Sequence, residues 1–317
     1  VYQNEAAGRT HDLPSSAAWV LYVQESVLSV PVFPHRVRER FAEAGGGVNI
    51  IRVFPRRTNA TPVDRYAYVG LPDFFVPDCD EVHISVTFSW DLDWAEKLMR
   101  EWEQVAPVKI GGPATGMAGG EFEPGMYLKP GYVITSRGCP NRCWFCDVWK
   151  REGGIRELPI RDGWNVLDSN LLACSDDHIR TVFKMLRRQP EPICLTGGLE
   201  AARLRDWHVD ELLQLRLKTV FVAYDTADDY EPLRMAAGML SSVGLIGKAH
   251  KVRCYVLIGY PDDSFEDAEK RLQSVCDLGI MPFAMLYRDR TGKRKRDWMS
   301  FRRLWYDPRM VGARVAV

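Results

Sequence analysis

Thr135-Ser136-Arg137-Gly138-Cys139-Pro140-Asn141-Arg142-Cys143-Trp144-Phe145-Cys146 is the stretch that decides how this chain is read. Three cysteines stand at C-x3-C-x2-C spacing on one short loop, directly after the apolar run Tyr132-Val133-Ile134. Thiolates that close together can hold three corners of an iron–sulfur cube, and a [4Fe–4S] cluster normally takes four. A loop supplying only Cys139, Cys143 and Cys146 leaves one iron with an open coordination position, where metal chemistry takes place. Zinc is the competing occupant, with His178 or Cys174 as a fourth ligand. Zinc ligands usually come as two paired groups, however, and only one group is present here.

Downstream of the loop the chain alternates between strand and helix patterns. Strands are predicted at 132–136, 165–168, 192–196, 219–224, 252–258 and 282–286. Helical periodicity is clear at 176–186, 231–240 and 264–278. Six such units argue for a parallel α/β sheet with right-handed crossovers. Upstream, strands at 48–54, 81–88 and 107–110, with a helix from Asp91 (as cap) to Trp102, form a smaller Rossmann-like α/β layer. Residues 1–15 read as a loose arm, 20–23 as a short strand, and 36–44 as a helix stopped by Gly45-Gly46-Gly47. Prolines and turn residues make 55–80 mostly loop, and 114–131 reads as a linker. The expected division is an N-terminal layer with linker (1–125), a main unit (126–290) and a basic, aromatic end (291–317).

The totals are those of an ordinary soluble protein: 317 residues, 46% hydrophobic, 26% charged, formal net charge zero. No global field argues for a polyanionic partner, and no apolar run approaches a membrane span. Val1-Tyr2-Gln3-Asn4-Glu5 has neither region of a signal peptide and no initiator Met, so further residues upstream are expected. Eight cysteines in a chain this long are not a disulfide scaffold, which points to a reducing, cytoplasmic setting. Cys174 and Cys254 are expected in the core.

The cysteine loop, with Phe145 just before its last cysteine, resembles the signature of the radical S-adenosylmethionine (SAM) enzymes. That resemblance implies a partial (βα)6 TIM-like barrel with its site at the C-terminal ends of the strands. It implies a [4Fe–4S] cluster on Cys139, Cys143 and Cys146, with SAM on the open iron. An external one-electron donor of flavodoxin or ferredoxin type would reduce the cluster, and SAM cleavage would give a 5′-deoxyadenosyl radical. Thr196-Gly197-Gly198-Leu199-Glu200 is similar to the family's glycine–glycine–glutamate motif for the methionyl ammonium, with Leu199 inserted. Thr196 or backbone carbonyls are the alternative to Glu200. Ile258-Gly259-Tyr260 resembles the adenine-binding segment. Tyr224 and Asp225 end the fourth strand, where a polar group faces the ribose or the substrate, or else caps the next helix. Asp168 and Asn170 resemble an acidic strand end that faces the substrate, an Asx turn being the alternative. Tyr287 and Arg288 end the sixth strand; Arg288 would clamp an anion or pair with Asp289 or Asp262.

The N-terminal layer resembles a cobalamin-type domain but lacks its D-x-H-x-x-G pattern, so no cobalamin is expected. Lys293-Arg294-Lys295-Arg296 followed by Trp298, Phe301 and Trp305 suits a nucleic acid; the alternative is an amphipathic helix packed on the barrel. This layout is similar to phage-type radical SAM proteins linked to thymidine hypermodification, which implies rearrangement of a modified base in DNA. A small metabolite or peptide is the other substrate class. Outside the enzymes, an iron–sulfur electron carrier or a zinc-binding nucleic-acid adaptor would explain the cysteines alone.

Overall fold

Ile50-Ile51-Arg52-Val53-Phe54 forms β1 (Ile50–Phe54), buried along nearly its whole length. The structure, a computed structural model, describes residues 48–116, 122–247, 250–289, 291–293, 295–305 and 311. The arm, strand and helix expected before residue 48 lie outside the described residues. β2 (Ala67–Val69), β3 (Glu81–Ser85) and β4 (Val108–Gly111) join β1 in an all-parallel sheet, ordered β2-β1-β3-β4. Parallel strands covered on both faces read as near-continuous apolar runs, as β1 does. Between β3 and β4, α1 (Leu92–Trp102) turns Ala95, Leu98 and Trp102 into this layer's own core.

Two expectations change here. β2 lies inside the segment read as loop, because a three-residue strand carries too little periodicity to be recognised. Asp91 precedes α1 but makes no capping bond; it is buried and takes the Arg56 guanidinium, with Arg56 Nε at 2.6 Å. Arg52 donates from the middle of β1 to the carbonyls of Gly125 and Met126, both at 2.9 Å, and so fastens the incoming linker to the first layer.

The second unit begins with β5 (Tyr132–Val133), β6 (Ser136–Arg137), α2 (Val148–Glu152), β7 (Arg156–Glu157) and β8 (Asn165–Val166). It continues with α3 (Asp176–Arg187), β9 (Ile193–Leu195), α4 (Asp206–Leu213), β10 (Leu217–Tyr224) and α5 (Tyr230–Ser242). β11 (Val252–Ile258), α6 (Phe265–Asp277), β12 (Met281–Leu286) and α7 (Arg296–Leu304) complete the described elements. Six strands pair in parallel in chain order, β5-β8-β9-β10-β11-β12. Each of the six predicted strands contributes one of them. The strand expected at 132–136 is split: after β5 the chain leaves the sheet, and β6 pairs antiparallel with β7.

The sheet has a core on each face. Val220, Val222 and Tyr224 of β10 join the large core shared with the helices, as do Cys254, Val256 and Ile258 of β11. On the opposite face Phe221, Tyr255, Phe283 and Met285 form a separate cluster, with Phe221 and Tyr255 stacked at 4.1 Å. The period-two alternation of side chains puts neighbouring residues into different cores. α7 buries Trp298, which lies 4.4 Å from Phe265; Trp305 just beyond it is also buried. The aromatic end therefore packs on the main unit as an amphipathic helix. Among the described residues no helix is long and apolar enough to cross a membrane.

α4 carries a test of stability. His208 is fully buried, and its Nδ1 accepts the Arg205 backbone N–H at 3.0 Å. Burial, reinforced by Arg205, pushes its pKa from 6.5 down to about 4. The unfolded chain takes up this proton as pH falls through 6.5, while the folded chain resists it until about 4. Stability from this group is complete above pH 6.5 and is lost on acidification toward pH 4, by about 3 kcal/mol. Denaturant titrations at pH 7 and pH 4.5 should show a smaller acid loss for His208→Gln than for the parent protein. Equal losses would remove His208 as the source.

Candidate functional site

The cysteine loop is held at both ends. Gly138 has φ +84° and lies so close to the 153–154 turn that a Cβ there would sit 2.1 Å from the Gly154 carbonyl oxygen. Its N–H donates to Glu152 Oε2 at 2.9 Å, and the Cys139 N–H donates to the Gly153 carbonyl at 3.1 Å. At the far end the Cys143 carbonyl accepts the Cys146 N–H and the Trp149 indole N–H, both at 3.2 Å. Only glycine tolerates this left-handed, crowded position without strain. All three cysteines are free and half-buried. Burial pushes the Cys143 thiol up to about 11 and the Cys146 thiol up to about 12. Both thiols are therefore protonated at neutral pH until a bound cation displaces the protons.

The strand ends converge on this loop. Asp168, just past β8, is fully buried; it accepts the Thr135 N–H and Oγ1–H at 2.6 Å and the Ser136 hydroxyl at 2.7 Å. This corrects the expectation that Asp168 faces a substrate: with three donors already bound, it anchors the entry to the cysteine loop and draws β6 out of the sheet. Asn170 does reach the site. Its Nδ2 donates to Cys139 Sγ at 3.5 Å and to Glu200 Oε2 at 2.6 Å, while its Oδ1 is buried without a partner. Glu200 also takes Arg203 Nε at 2.7 Å.

The glycines after β9 have separate reasons. A Cβ on Gly197 would meet the Asp168 carbonyl oxygen at 2.3 Å, so this backbone lies directly against the end of β8. Gly198 has φ +90°, and a Cβ there would make only ordinary contacts, 3.9 Å from the Phe221 carbonyl oxygen and from the Tyr255 ring. The turn it makes lets the inserted Leu199 drop into the core, buried, with its N–H on the Phe221 carbonyl at 2.8 Å. Thr196 is tied down, its hydroxyl to Asn165 Oδ1 at 2.6 Å and its carbonyl to the Tyr255 hydroxyl at 3.0 Å.

At the end of β10, Tyr224 turns away from the site and packs in the helix-side core, 5.7 Å from Tyr230. Its expected place on a cofactor is corrected by strand alternation, which puts Asp225 on the opposite side. Asp225 Oδ1 is buried and unpartnered, and burial together with Asp229 raises its pKa to about 8. The charges of Asp225 and Asp229 in turn push up the Cys143 thiol. At the end of β11 the Ile258 side chain is in the core and its carbonyl accepts the Tyr287 N–H at 2.8 Å, leaving Gly259 and Tyr260 to face outward. Gly259 donates to Asp263 Oδ2 at 2.6 Å. Asp263 in turn receives Arg271 Nη2 at 2.8 and 2.9 Å, beneath Tyr260.

Aromatic residues line the opening. Trp144, 45% exposed, meets Phe145 at 5.3 Å, Tyr260 at 5.5 Å and Tyr287 at 6.0 Å. Arg288 is buried and lies 4.9 Å from the Trp90 ring of the first layer. The residue expected to clamp an anion or to pair with Asp289 or Asp262 thus sits where β12 ends, beside a ring of the first layer.

Several contributors had no assigned role in the sequence. Glu152 and the Asp263–Arg271 pair hold glycine turns. Asp263 stood within the quoted fifth-strand segment, but an ion pair across a βα turn leaves no motif. Trp90 comes from the other sheet, and nothing near it in sequence connects it with Arg288. Among the described residues no three His, Cys, Asp or Glu side chains converge on a single metal-ion position. A cube takes each thiolate on a different iron, so a cluster does not require that convergence. The chain matches no protein-family model and no curated protein.

Proposed function

We propose that this chain is a radical SAM enzyme, with a [4Fe–4S] cluster on Cys139, Cys143 and Cys146 and SAM across the strand ends of a partial (βα)6 barrel. The observation that carries the reading is the Asn170 amide, which bridges a cysteine sulfur and the Glu200 carboxylate. Two motifs distant in sequence, one for a cluster and one for an ammonium group, thus share a hydrogen-bonding residue. The sequential parallel order supports the barrel: right-handed crossovers put all helices on one face, and the other face closes on its own aromatic cluster.

When bound, the cluster and SAM would supply a 5′-deoxyadenosyl radical from an electron delivered by a flavodoxin- or ferredoxin-type donor. The chain's own residues bind and orient. Glu200, aligned by Asn170 and Arg203, offers a carboxylate to a ligand ammonium. The buried Oδ1 atoms of Asn170 and Asp225 are acceptors awaiting donors, as ligand amino and hydroxyl groups would be. Gly198 leaves room for a ligand at the backbone, and Trp144, Phe145 and Tyr260 exclude water from the opening.

Anaerobic reconstitution with iron and sulfide, followed by reduction in the presence of SAM, should yield 5′-deoxyadenosine. Protein carrying zinc, or a full cluster that leaves SAM intact with substrate present, would sink the reading. Asn170→Ala should keep its iron while slowing 5′-deoxyadenosine formation about 10–100-fold, the usual effect of losing a residue that orients a ligand. For the substrate, burial of Trp298 and Trp305 favours a small metabolite or peptide over stacked DNA bases. DNA binding at moderate salt that falls when Lys293, Lys295 and Arg296 are neutralised would restore the nucleic-acid reading.

A further inference from the structure

The end of the sheet away from the cysteine loop carries polar groups that the proposed site does not use. Ile193, Leu195, Val220, Val222, Val252 and Cys254 all enter the large core on the helix side. Alternation therefore turns Cys194, Thr219 and Arg253 to the other face, which carries Phe221 and Tyr255. The register brings the three together: Thr219 pairs with Cys194, and Arg253 pairs with Phe221, two residues further along β10. Strand spacing and rise put the Thr219 and Arg253 backbones about 8 Å apart, within reach of an arginine side chain. β10 also holds one extra residue here. Leu217 pairs with Ile193 and Thr219 with Cys194, which leaves Lys218 as a bulge between them. Bulges re-aim side chains at the ends of strands. The charges of Lys218 and Arg253 both act on the Cys194 thiol, drawing it down against the larger effect of burial.

These groups lack a counter-charge. Arg253 Nε and Thr219 Oγ1 are both buried, and neither makes a hydrogen bond. Lys218 is exposed, and neither it nor Arg253 pairs with an acid among the described residues. Glu191, the carboxylate nearest to Cys194 in sequence, is exposed and is not among the charges that act on that thiol. Leaving a buried donor without an acceptor is costly. Two cations and a hydroxyl with no carboxylate suit a ligand group with several oxygens and more than one negative charge.

We propose that Lys218, Thr219 and Arg253 bind the phosphate group of a small molecule at the N-terminal ends of β9, β10 and β11. The two cations meet its charge, and the Thr219 hydroxyl donates to one of its oxygens. The buried cluster of Phe221, Tyr255 and Phe283 lies between this position and the strand ends that face the cysteine loop, so the site is independent of the cluster reading.

The probe is inorganic phosphate, read at Cys194. Iodoacetamide labelling of the full folded chain, resolved by residue with mass spectrometry, follows access to the site; Cys276, also half-buried, is the reference. Phosphate at about ten times its dissociation constant should slow Cys194 labelling about tenfold, since only the free fraction reacts, and leave Cys276 unchanged. Sodium chloride at the same ionic strength should give no protection. Arg253→Gln and Lys218→Gln should each raise the phosphate concentration needed by about tenfold, the effect of losing one charge-assisted contact. If Arg253→Gln does not fold, Lys218→Gln, altered at an exposed position, decides alone. No protection in the parent chain, equal protection by acetate or by chloride, or an unchanged phosphate requirement in the folded variants overturns the proposal.

Discussion

Alanine at Cys139, Cys143 or Cys146 is expected to abolish the iron–sulfur absorbance and to reduce 5′-deoxyadenosine to the level of protein-free controls. In a three-thiolate site each sulfur holds a different iron, so losing one leaves a corner of the cube unsupported. The loop cannot shift to compensate. Gly138 is wedged against the Gly154 carbonyl, and the Cys143 carbonyl is fixed by two N–H donors. Serine should not rescue, because its hydroxyl is far less acidic than a thiol and Cys143 and Cys146 already resist ionisation. The control is Cys174→Ala. Cys174 is buried in the large core, so its loss should lower stability and leave iron content unchanged. If Cys174→Ala instead emptied the site, a zinc centre with Cys174 as fourth ligand would be the better description.

The second large effect is on stability. Arg271→Met should destabilise the chain by about 3–5 kcal/mol, the penalty for leaving one partner of a buried ion pair alone. The Asp263 side chain is completely buried; it accepts both Arg271 Nη2 contacts and the Gly259 N–H. Arg271 Nη2 also reaches the Leu257 carbonyl at 3.0 Å. Removing the guanidinium strands a carboxylate inside the turn that presents Gly259 and Tyr260. Denaturant unfolding at pH 7 measures the loss, and the double variant with Asp263→Leu should recover much of it, because the stranded charge is gone. A single-variant loss below about 1 kcal/mol would mean that the pair behaves like an exposed surface bridge.

Legibility in the sequence followed the range of the forces involved. The six parallel strands and their longer helices were readable because apolar periodicity is local and strong. β2 escaped because it is a three-residue edge strand. The break between β5 and β6 escaped because its cause, Asp168 accepting from Thr135 and Ser136, comes from the next strand along the sheet. In the site, the cysteines, Gly197, Gly198 and Gly259 were marked by spacing and by turn chemistry. Asp168 and Tyr224 were named for the right strand ends and given the wrong neighbours, since one turns into a hydrogen-bonded anchor and the other into the helix-side core.

By itself, then, the sequence determined the α/β class, the six strands of a parallel sheet and the thiols available on one loop. Periodicity and cysteine spacing are properties of neighbouring residues, and a linear reading captures them. Tertiary structure alone decided that Asn170 joins Cys139 to Glu200 and that Trp90 of the first layer lies against Arg288. Hydrogen bonds and charge compensation depend on which groups burial brings together. For residues far apart along the chain, that proximity exists only once the sheet has formed.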